Sequence, residues 1–152
     1  MKSTRFNEWI FQTLLVVFLL SITITMLSCT TGPRYRKVET VPEGKSAVYF
    51  YRPSRFFAGA RSPAIYDNGI EILSGLSNGG YWVYFPDVGK HSFSTVADFL
   101  NSSSVTIKIE RPGEEHFIRM DMLQGLVAAT AKLYLVYPEQ AREEIITCKF
   151  VK

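Results

Sequence analysis

The chain divides by pattern into one long apolar run and a series of short alternating ones. From Trp9 to Leu27 no charge occurs, and only Gln12 and a few Ser and Thr break the run. Beyond it, apolar residues recur with the two-residue period of strands. Val105, Ile107 and Ile109 alternate with Thr106 and Lys108, which predicts a half-buried strand. Residues 46–52 are apolar on both sides, with Ala47, Tyr49 and Tyr51 on one face and Val48 and Phe50 on the other. That arrangement predicts a central strand covered twice, ended by Pro53. Further strands are expected over 64–66, 70–73, 81–85, 91–96, 116–122 and 131–136. In the 116–122 segment Phe117 faces away from Ile118 and Met120.

Turn chemistry separates these runs. Asn68-Gly69 between two β-rich segments is a strong hairpin signal, because both residues accept positive φ. Ser77-Asn78-Gly79-Gly80, Pro86-Asp87-Val88-Gly89 and Arg111-Pro112-Gly113 supply further corners. After Val136 the composition changes. Pro138 to Ile146 carries Pro first, acids early and helix formers within, so it reads as a short helix. Ala141, Ile145 and Cys148 are expected to face the domain. The predicted fold class is all-β: a single antiparallel β-sandwich of about seven strands with a short C-terminal helix, preceded by an N-terminal signal or anchor helix.

The long apolar run follows Lys2 and Arg5 and ends in Met26-Leu27-Ser28-Cys29. Basic, apolar, small and then cysteine is the order of a secretory leader ending in a lipid attachment site. Residues 1–28 are therefore expected to be a lipoprotein signal peptide, and Cys29 the site of acylation, for example by palmitate. Thr30 stands where an Asp often retains such proteins at the inner membrane, so the periplasmic face of the outer membrane is favoured. The rival is an uncleaved single-pass anchor, since a run of about 20 apolar residues also spans a bilayer. Arg34, Arg36 and Lys37 follow the run and do not favour export by charge alone. Residues 29–45 contain Gly32, Pro33, Pro42 and Gly44 and read as a lipid-anchored tether reaching about 50 Å at about 3.3 Å per residue. Its cations are placed to rest on anionic headgroups. Residues 46–152 form the domain.

One set of motifs carries a resemblance. Tyr49-Phe50-Tyr51-Arg52-Pro53, Ser62-Pro63, Asn68-Gly69, Leu76-Ser77-Asn78-Gly79-Gly80-Tyr81, Pro86 and Gly89-Lys90-His91 stand in an order similar to a family of small bacterial lipoproteins. That family carries a domain of unknown function and resembles transthyretin-like or PEGA-like β-sandwiches. The likeness covers about residues 47–95. Pro86 and Gly89 are separated here, whereas the family more often has Pro next to Gly. The resemblance implies a fold and a cell-envelope location. It implies no activity and carries over no site residue.

Composition fits one packed domain: hydrophobic residues make up 47% and aromatic residues 14%. A net charge of +3 is too small to imply nucleic acid. With Cys29 acylated, Cys148 has no intrachain partner, and its apolar neighbours Ile146 and Phe150 mark it as a buried small hydrophobe. His91 and His116 each start a strand outside any metal pattern, and Glu114-Glu115 and Glu143-Glu144 read as solvated charge. No catalytic residue, cofactor or metal is expected, and an envelope hydrolase is the less favoured reading. The one candidate surface is the loop bearing Arg55, Phe56, Phe57 and Arg61. Two adjacent aromatics cannot both face inward on an extended segment, and Phe beside Arg is a common interface pairing. An envelope protein or cell-wall partner is expected there.

Overall fold

Five consecutive buried residues, Ala47–Tyr51, form β1 in the middle of a five-stranded sheet. The computed structural model describes Gln12 and residues 32–98, 101–124 and 129–151. Apart from Gln12, the expected leader over 1–28, and with it Cys29, lies outside the described residues. After β1 come β2 (Ile65–Asp67), β3 (Ile70–Leu73), β4 (Gly80–Tyr84) and β5 (Gly89–Asp98). They are followed by β6 (Asn101–Ile109), β7 (Glu115–Gln124), β8 (Ala129–Val136), the single described helix α1 (Pro138–Ile145) and β9 (Lys149–Phe150). One sheet has the order β8-β7-β1-β4-β9 and the other β3-β2-β5-β6. Among the described residues the protein is thus mostly β, with two sheets and one short helix.

Two expectations are corrected. Nine strands are described rather than about seven, and the larger sheet is mixed rather than antiparallel. β1 pairs in parallel with β7, and β4 in parallel with β9. β7 reaches the second edge of β1 only after the chain has built the smaller sheet, and a connection of that length lets it enter in the same direction. The hairpin at Asn68-Gly69 forms as expected, with φ of 49° and 84°. It joins β2 to β3.

The two faces of the larger sheet bury separate clusters. Toward the smaller sheet, Val48, Phe50, Ile118, Met120 and Leu133 meet Ile65, Phe93, Ile107 and Ile109. Phe50 and Phe93 touch edge-on with ring centroids 5.1 Å apart. On the opposite face Tyr49, Tyr51 and Phe117 are covered by Ala141 and Ile145 of α1 and by Cys148. Each such side chain contributes on the order of 1.5–3 kcal/mol by leaving water.

The stretch expected to be a hydrated tether is, from Pro33 to Val41, laid on this second face. Tyr35 packs edge-on against Tyr49 and Tyr81, and Val38 and Val41 pack in the same cluster. Its backbone extends the sheet beyond β9: Tyr35 N–H donates to the Cys148 carbonyl at 2.9 Å, and Phe150 N–H to the Pro33 carbonyl at 2.8 Å. A Cβ on Gly32 would collide with the Phe150 carbonyl, so only glycine permits this approach. The Gly and Pro residues that read as linker punctuation here shape an edge segment.

Candidate interaction surface

Arg52 is the last residue of the buried run and its one charged residue, and it is 2% exposed. Pro53 stops the strand there, and the chain turns into the 54–61 loop. The Arg52 guanidinium lies under that loop and donates to three carbonyls: Ala58 at 2.8 Å, Leu76 at 3.3 Å, and Arg61. No carboxylate among the described residues pairs with it, so backbone dipoles alone solvate the charge. Burial pulls the guanidinium below its usual value, and it remains charged at neutral pH.

Asn78 fixes the other side of the loop. Its Oδ1 accepts from Arg55 N–H at 3.0 Å, and its Nδ2 donates to the Arg55 carbonyl at 2.8 Å. Between these braces Ala58 is held at φ 54°, an uncommon conformation for a residue with a Cβ. The loop is therefore ordered rather than slack. Of the two aromatics, Phe56 projects fully (106% exposed) and Phe57 partly (42%). Arg55 and Arg61 are exposed on either side. The four residues singled out from sequence thus share one loop. The residue that builds the loop, Arg52, was legible only as a charge at the end of an apolar strand.

Two partly buried polar clusters join residues far apart in the chain. His91 is not an exposed strand end: its Nδ1 lies 2.7 Å from Asp67 Oδ2 and its Nε2 3.0 Å from the Asp87 carbonyl. Tyr84 donates to the same Asp67 oxygen at 3.3 Å. Both ring nitrogens face acceptors, so an imidazolium donates twice where a neutral ring donates once. With Nε2 turned to a backbone carbonyl, the pair is arranged to lock the β2–β5 corner. Asp67 Oδ1 is buried without a partner among the described residues.

The second cluster corrects the reading of Glu143-Glu144 as solvated charge. Glu143 is exposed, whereas Glu144 accepts from Tyr51 at 2.7 Å, Gln140 at 2.8 Å and Arg119 at 3.0 and 3.2 Å. Burial pushes the Glu144 carboxyl up, but these donors outweigh it and hold it below the usual carboxylate range. Burial and the Glu144 hydrogen bond together push the Tyr51 phenol strongly upward. Glu115 likewise pairs with Lys37 and Arg142, and His116 with Glu114. Cys148 is fully buried, its thiol 3.7 Å from the Arg52 carbonyl, and burial pushes it up to about 11.

A groove of about 340 Å³ runs between the start of β7 and the end of β8, where Leu135 and Tyr137 stand exposed. Its acidic and imidazole groups, Glu115 and His116, are already engaged as described. Among the described residues no group of side chains is arranged to hold a metal ion, and no helix is long and apolar enough to cross a membrane.

Residues 42–133 match the model of a family described as protein of unknown function (DUF2846). The chain belongs to that family. In this DUF2846 protein the match takes in Arg52, its loop, the Asp67–His91 pair and Asn78, and ends within β8. α1 and the 33–41 segment, which cover the second face of the larger sheet, and its edge strand β9 lie outside it. No curated protein and no solved structure matches the chain.

Proposed function

We propose that this is a cell-envelope lipoprotein, anchored through an acyl chain on Cys29, whose β-sandwich is a non-catalytic binding or structural module. The order basic, apolar, Ser28, Cys29 supports export and acylation. Two sheets with a shared apolar core support the sandwich. The transthyretin-like character rests on the motif order from Tyr49 to His91. Thr30 after the cysteine favours the periplasmic face of the outer membrane. The observation that carries the binding role is Phe56, held fully in solvent by a loop braced on a buried arginine. Holding a large ring in water costs about 1.5–3 kcal/mol relative to burial, which a partner surface recovers.

The test is metabolic labelling with a palmitate analogue followed by membrane fractionation. The wild-type protein is expected to carry label and to sediment with the envelope, and Cys29→Ser to lose the label and keep residues 1–28. Label-free wild-type protein retained in the membrane with its leader attached would instead identify an uncleaved single-pass anchor.

A further inference from the structure

The docked 33–41 segment changes how far the domain can stand from its anchor. Gly32 is already pressed against the Phe150 backbone, so only the residues between Cys29 and Gly32 are available as tether. The three Cα steps from Cys29 to Gly32, across Thr30 and Thr31, reach about 10 Å when fully extended. The full 29–45 segment, if free, reaches about 50 Å. On the reading that Cys29 is acylated, the folded domain is therefore held against the bilayer.

One end of the larger sheet is built to meet it. β1 finishes there and β4 and β9 begin, with Tyr51 opposite Tyr81 and Gly80 beside Lys149. Arg52 joins two projecting apolar groups at this end. Its guanidinium holds the loop that carries Phe56, and its carbonyl lies against Cys148, two residues after Ile146. Ile146 is 61% exposed. Arg34, Arg36 and Arg55 are exposed nearby: Tyr35 is hydrogen-bonded at Cys148, and Arg55 is bracketed by Asn78 beside Gly79, whose carbonyl accepts from Lys149. Segments 32–37, 53–61 and 146–150 contain six cations and no carboxylate; Lys37 is paired with Glu115, and Arg61 donates to the Ala129 carbonyl. From Phe150, where the chain enters, back to Cys148 at this end is about 7 Å of strand. That distance is within the reach of those three Cα steps.

We propose that the domain lies directly on a lipid surface, with Phe56 and Ile146 entering the headgroup region and Arg34, Arg36 and Arg55 against anionic headgroups. Apolar projections flanked by arginines match the chemistry of interfacial anchoring, and the acyl chain supplies the second signal that stable anchoring takes. The occupant of the Phe56 loop is then the bilayer itself.

The experiment uses full-length protein purified from membranes, its Cys29 acylation verified by intact mass. It is reconstituted into phosphatidylglycerol–phosphatidylethanolamine vesicles with brominated acyl chains. Phe56→Trp replaces a solvent-exposed ring, and Ile70→Trp, at the exposed β2–β3 turn, serves as the distant control. The added emission of Phe56→Trp is expected to shift to the blue and fall about twofold or more, as for a ring about 5–10 Å into the interface, while Ile70→Trp is unaffected. Acylated protein with Phe56→Trp unquenched, or quenched no more than Ile70→Trp, overturns this inference and leaves the anchor intact. Protein whose mass retains residues 1–28 overturns the anchor and the inference together.

Discussion

Arg52 and Cys148 show how single residues set the behaviour of the candidate surface. The three carbonyls that Arg52 gathers belong to positions 58, 61 and 76, which the guanidinium ties to the end of β1. Arg52→Ala is expected to destabilise the protein by about 2–4 kcal/mol in urea unfolding, because a charged donor is lost and buried acceptors are orphaned. Arg52→Lys should recover only part, since an ammonium cannot span the same fork. Equal unfolding midpoints for wild type and Arg52→Ala would contradict the bracing role. At Cys148, a thiol pushed up to about 11 by burial is almost wholly protonated at pH 8. Peptide mapping after treatment with a thiol reagent at that pH should find Cys148 unmodified in the folded protein and modified after denaturation. Modification at equal rates in both states would contradict its burial.

At the scale of elements, α1 is held to the sheet by an apolar stripe, by the Glu144 carboxylate and by Arg142, which pairs with Glu115. Ile145→Ala removes a fully buried branched side chain and should cost about 2–5 kcal/mol. Glu144 adds a pH dependence whose sign follows from its lowered value. A carboxylate held below its unfolded value near 4.3 stabilises the fold above that pH, and the contribution disappears as pH falls through the folded value. The stability gap between wild type and Glu144→Gln is thus expected at pH 7 and should close on acidification. A gap that stays constant down to pH 3 would contradict the network. Elements with local rules were legible in sequence. Asn68-Gly69 demanded its hairpin, the alternation at Val105, Ile107 and Ile109 gave their facing, and Pro138 marked the helix start. Strand partners were not legible, because the pattern of β1 says that it is covered and not that β7 arrives parallel to it. The same holds for the site. Phe56 and Phe57 were visible as adjacent aromatics, but Arg52 acts on residues 58, 61 and 76, and His91 on Asp67, through folding alone.

For the whole molecule, the decisive feature is the docked 33–41 segment, which on the proposed acylation of Cys29 would hold the domain close to its anchor. Its structural half can be checked in isolation from lipid. Trypsin should cleave slowly after Arg34 and Arg36 in the folded protein, since Tyr35 and Pro33 are tied to Cys148 and Phe150. Tyr35→Ala should speed that cleavage markedly, and wild-type cleavage as fast as in the denatured chain would contradict the docked segment. The central claim, that this DUF2846 domain is carried by a lipid on Cys29, is tested most directly by the intact mass of the wild-type protein extracted from envelopes. The expected mass is that of residues 29–152 plus acyl groups, with the added mass mapping to the peptide that begins at Cys29. A mass equal to residues 1–152, with Cys29 unmodified, would contradict the account.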